Sequence, residues 1–69
     1  MIYVYRESLG TILRMERFKR NLSQEQVCEA IQMNIKTLSK IENDKSVNGK
    51  TIKRLIDYYE LGYKLTHLQ

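Results

Sequence analysis

Lys36, Lys40, Lys45, Lys50, Lys53 and Arg54 fall within residues 36–54, opposed there by Glu42 and Asp44. Amines and a guanidinium at this density suit phosphate oxygens, and a polyanion bound through them releases its condensed counterions. A second basic group, Arg6, Arg14, Arg17, Lys19 and Arg20, shares residues 1–21 with Glu7 and Glu16. The formal net charge of +4 and a pI near 9.4 have the same sign. Means for making or breaking bonds are sparse. His67 is the single histidine and Cys28 the single cysteine, and neither has a carboxylate or further ligand at catalytic or metal-binding spacing. The glycines at 10, 49 and 62 stand apart, so no Gly-rich phosphate loop exists. Cys28 reads as a small core residue. The expected chemistry is binding, with no enzyme activity, no metal and no cofactor.

The elements that must position these charges lie in residues 22–45. Ser23 followed three residues later by Gln26 forms a capping box, each side chain satisfying a backbone donor of the other at a helix start. Val27, Ala30 and Ile31 then recur at helical spacing, and that helix ends near Gln32. Asn34 is a new N-cap. In the next helix Leu38 and Ile41 share one side, while Ile35, Lys36, Ser39 and Lys40 point elsewhere. Two short helices joined by a tight turn, the second hiding one face and offering a polar, basic one, are what a helix-turn-helix needs to enter a DNA major groove.

These residues resemble the Cro and phage-repressor (XRE) family. Leu22, Ser23, Gln24, Glu25, Val27, Ile31, Met33, Thr37, Leu38, Ile41, Glu42 and Lys45 fit its pattern in register without a gap. Cys28 replaces its usual alanine, Gln32 its turn glycine, Asn34 a Ser or Thr cap, and Asp44 the glycine before the lysine. At positions 32 and 44 glycine would supply a positive φ, so those turns are expected to be strained or differently shaped.

The resemblance implies roles. Arg17 falls where the family has an arginine paired with the glutamate that ends the recognition helix, here Glu42. Such a guanidinium binds a carboxylate through two parallel hydrogen bonds. Gln24, Asn43 and Lys45, together with Ser23 and Asn34 at the helix starts, are expected to hold phosphates and fix register. Ile35, Lys36 and Lys40 occupy base-facing places, with Thr37 and Ser39 as second-line candidates; Thr37 could instead help cap its helix. Lysine donates to guanine O6 and N7, and isoleucine packs on a thymine methyl. The half-site is therefore expected to contain G with thymine nearby.

On either side, Ser8 is a plausible N-cap for a helix carrying Leu9, Ile12 and Leu13, with Phe18 extending its stripe, that runs to about Arg20. Asn21 can close it in the left-handed conformation. Residues 43–50 read as a loop with Val47 anchored in the core. A last helix is expected over residues 51–61, burying Ile52, Leu55, Ile56 and Tyr59 and broken by Gly62. Residues 1–7, with Ile2, Tyr3, Val4 and Tyr5, read as an extended arm or strand, and residues 62–69 alternate apolar and polar as a strand does. The expected fold is mainly α: a helix-turn-helix bundle of about four helices with short terminal β-strands, one domain over residues 1–69 and a helical core over 8–61.

A domain this small buries only about 60% of the surface its unfolded chain exposes, so a partner copy would help. A helix-turn-helix followed by a short strand resembles the HipB-type antitoxins, where such a strand pairs across a two-fold dimer. Pairing with residues 2–5 of the same chain is the other option. One cysteine fits a reducing cytoplasm, no apolar run approaches the roughly 18 residues of a membrane span, and residues 1–10 lack the marks of a signal peptide. The function expected is a homodimeric transcriptional repressor that binds an inverted repeat in double-stranded DNA, in an antitoxin setting with a toxin as second partner. A phage, mobile-element or restriction-modification regulator is the alternative, as is a protein-interaction domain. RNA binding fits less well, because Tyr3, Tyr5, Tyr58, Tyr59 and Tyr63 lie away from the basic helix.

Overall fold

The computed structural model describes residues 8–61, which form four helices: α1 Leu9–Lys19, α2 Gln24–Ile31, α3 Ile35–Glu42 and α4 Gly49–Tyr58. Each start has a side-chain cap. Ser8 accepts from the Thr11 amide at 3.1 Å, Asn34 from Lys36 at 2.7 Å, and Asn48 from Lys50 at 2.8 Å. Ser23 and Gln26 complete the capping box, at 3.0 and 2.8 Å. These bonds satisfy donors that a helix start leaves open.

The four ends are alike. Asn21, Gln32, Asp44 and Glu60 follow the helices in the left-handed region, with φ of 55°, 54°, 59° and 57°. The next residue then donates back over the last turn, as in Leu22 to the Arg17 carbonyl, Met33 to Cys28, Lys45 to Lys40 and Leu61 to Ile56. This is the Schellman arrangement, in which glycine usually takes the left-handed place. Here four other residues take it.

Leu13, Val27, Leu38, Leu55, Tyr59 and Leu61 are fully buried and come from every helix and the turn after α4. Ile12, Leu22, Ile31, Val47, Ile52 and Ile56 pack around them. The helix α3 lies against both α1 and α2, and α4 lies against α2. That placement hides one side of α3 and leaves the other open.

The expectations for the last helix and for Phe18 need correction. The last helix begins at Gly49 because Asn48 caps it, and ends at Tyr58 because Glu60 turns left-handed, not because of Gly62. Phe18 does not extend the buried stripe of α1. It is 57% exposed, with the Arg17 guanidinium 4.8 Å from its ring centre. The terminal strands expected over residues 1–7 and 62–69, Gly62 and His67 lie outside the described residues.

Candidate nucleic-acid interface

At about 100° per residue, Ile35, Lys36, Ser39, Lys40 and Asn43 share one arc of α3. Ile35, Lys36, Lys40 and Asn43 are exposed and Ser39 is half-buried, whereas Leu38, Ile41 and Glu42 face inward. Thr37 falls outside the arc and is half-buried. Ser23 is exposed at the start of α2, Gln24 half-buried beside it, Asn34 exposed before α3, and Lys45 exposed after it. The side-chain oxygens of Ser23 and Asn34 already accept backbone hydrogens, so only their remaining hydrogens are free to donate.

Glu42 ties these elements together. Arg17 Nε donates to Glu42 Oε2 at 2.8 Å and Nη2 donates to Oε1 at 3.0 Å, with both residues buried. Arg17 Nη1 also donates to the Leu22 carbonyl at 3.0 Å, and Gln24 Nε2 donates to Glu42 Oε1 at 3.1 Å. One carboxylate thus joins α1, the start of α2 and the end of α3. The hydrogen bonds to the Glu42 carboxylate hold the Arg17 guanidinium above its usual pKa. Gln24 keeps one amide hydrogen for an outside acceptor.

Other contacts fix the frame. Gly10 donates to Asp44 Oδ1 at 2.9 Å. Hydrogen bonds from Ser8 and from the Gly10 amide hold Asp44 below its usual pKa. Glu16, itself buried, accepts from Arg20 at 2.6 Å and from Lys19 at 3.2 Å. Arg20 also donates to the Tyr59 carbonyl at 3.0 Å, joining α1 to the end of α4. Arg54 donates to the Ile31 carbonyl at the end of α2. The i,i+4 spacing of Glu16 and Arg20 was a readable signal of their pairing; nothing local in the sequence announced the roles of Gly10 and Asp44.

Groups with bond-making potential are quiet. Burial pushes the Cys28 thiol up from its usual pKa, with the Glu42 charge adding to the effect, which keeps it a thiol and a poor nucleophile. Burial, then Glu42, pushes the Tyr59 hydroxyl up to about 12. Among the described residues no three His, Cys, Asp or Glu side chains gather as metal ligands, and no helix is long and apolar enough to cross a membrane.

A short capped helix held across the start of a second, with its basic face open, defines a helix-turn-helix module. The sequence model of the helix-turn-helix family matches residues 13–64. The chain belongs to that family, the Cro/C1-type or XRE proteins, and is a DNA-binding transcription regulator. No curated protein and no solved structure matches it.

Proposed function

We propose that the protein is a dimeric repressor of the antitoxin or autoregulator type, which works in the cytoplasm and occupies an inverted repeat in duplex DNA. The observation that carries this reading is the open arc of α3, where Ile35, Lys36 and Lys40 stand clear of the core. Lys36 and Lys40 donate to guanine O6 and N7, and Ile35 packs on a thymine methyl. Ser23, Gln24, Asn34, Asn43 and Lys45 hold the flanking phosphates. Repression needs only occupancy of a promoter.

A two-fold dimer presents two copies of α3, and consecutive half-sites lie about 34 Å apart along the duplex. In the antitoxin setting a toxin protein is the second partner. Footprinting on the DNA upstream of the protein's own gene, repeated across salt concentrations, tests the reading. Two protected half-sites one turn apart are expected, with log affinity falling by about 0.9 per phosphate contact for each log unit of salt. Binding that ignores salt, or a single unpaired half-site, would overturn it.

A further inference from the structure

We propose that Asn48 and Gly49 form a site of spontaneous deamidation, and that its product lowers the protein's affinity for DNA. The second half rests on the DNA-binding reading above; the first does not. Asn21, Asn34 and Asn43 precede Leu22, Ile35 and Asp44, whereas Asn48 precedes a glycine. A backbone nitrogen on a residue without a Cβ is the least hindered nucleophile towards an asparagine side-chain carbon. Nothing among the described residues requires that glycine, because its φ is not positive and a Cβ added to it would meet nothing within 4 Å. Asn48 and Gly49 are both exposed. Among the described residues neither Asn48 Nδ2 nor the Gly49 N–H donates to an acceptor, the latter as expected of the first amide of a helix.

The cap of α4 sets the pace. Closing a five-membered ring needs the Gly49 nitrogen and the Asn48 Cβ nearly eclipsed about the Cα–C bond, but the folded chain holds ψ of Asn48 at 133° and ties its Oδ1 to the Lys50 amide at 2.8 Å. Reaction therefore passes through opening of the first turn of α4, a local fraying that costs far less than global unfolding. The Gly49 nitrogen then bonds to Asn48 Cγ, the Cγ–Nδ2 bond breaks, and the Gly49 amide proton leaves with that nitrogen as ammonia. Water opens the resulting succinimide at either carbonyl, leaving aspartate or isoaspartate at position 48. Water enters, ammonia leaves, and nothing is oxidised or reduced. Either product carries a carboxylate in place of a neutral amide, between Lys45 and Lys50, both exposed, and so cancels part of the positive field offered to phosphates. Aspartate still caps the helix. Isoaspartate lengthens the backbone by one methylene and shortens the side chain, so the bond to the Lys50 amide is lost.

The test ages the full-length protein in mildly alkaline buffer over weeks. Peptide mapping by mass spectrometry that separates aspartate from isoaspartate is combined with affinity for random-sequence duplex DNA on the same samples. Position 48 should convert faster than Asn21, Asn34 or Asn43, and Gly49→Ala should slow it by roughly tenfold or more. Fresh Asn48→Asp should bind every sequence about 3- to 10-fold more weakly at low salt. Asn48→Ser, which caps the helix but cannot cyclise, should keep its affinity on ageing. No conversion at position 48, or conversion at the same rate in Gly49→Ala, overturns the proposal. Conversion that leaves affinity unchanged, with fresh Asn48→Asp binding like wild type, overturns its second half. Fresh wild type that binds no duplex at all removes the DNA-binding reading and the second half with it, while the mass spectra decide the first half by themselves.

Discussion

Gly10 lies so close to Asp44 that its amide donates to the carboxylate at 2.9 Å, and a Cβ at Gly10 would stand 2.6 Å from the Ile41 carbonyl and 2.8 Å from that of Glu42. The first turn of α1 is thus seated on the end of α3, with the Asp44 side chain reaching back to it. Glycine is needed at position 10 for close approach, not for conformation.

Gly10→Ala sets two effects against each other. Alanine favours a helix by about 1 kcal/mol, but overpacking against rigid backbone costs about 1–3 kcal/mol. The approach distances decide for the second. We expect a net loss of up to about 2 kcal/mol in urea unfolding; a stabilised variant would mean that α1 can shift without cost.

Arg17→Met and Glu42→Leu each strand a buried charge, at about 3–5 kcal/mol. A small domain has little more than that in total, so each single variant should be largely unfolded near room temperature. The double variant should recover much of the loss, though not all, since the Gln24 amide and the Leu22 carbonyl lose partners too. Circular-dichroism melts in which single variants match wild type would contradict the burial of this pair.

Left-handed Gln32 carries a Cβ penalty of roughly 1–2 kcal/mol, against which the greater freedom of unfolded glycine weighs roughly 0.5–1 kcal/mol. Gln32→Gly should therefore raise stability by about 0.5–1 kcal/mol. Asp44→Gly relieves the same strain but removes the acceptor of the Gly10 amide, so it should gain less. Equal gains in denaturant midpoint would show that the Asp44 carboxylate contributes nothing.

Glu16 is held below the usual glutamate pKa of 4.5, first by its hydrogen bond from Arg20. A carboxylate with a depressed folded pKa adds stability above its unfolded pKa and loses it as pH falls through the folded value. Stability should therefore be level above pH 4.5 on this account and decline below it, with Asp44 contributing below its usual 3.8. Glu16→Gln should be less stable at neutral pH and show a shallower decline in acid. Parallel acid-unfolding curves for the two proteins would sink this assignment.

Ser8, Ser23 and Asn34 are caps that the sequence alone marks out, and the apolar spacing of Val27, Ile31, Leu38 and Ile41 locates the two central helices. Such features are legible because a cap or a helical face depends on residues three or four apart, all visible in one short window. The family pattern extended that reading to the turn positions at Gln32 and Asp44, where the structure has positive φ without glycine. The tertiary structure decided the rest. Whether Gly10 meets the end of α3 and whether Arg20 reaches the Tyr59 carbonyl depend on distances set by packing. Phe18 shows the same limit, since its spacing continued the stripe of α1 but α3 and α4 left no surface there to cover it. Periodicity gives a side chain its direction along a helix; only the neighbouring helices determine whether anything lies in that direction.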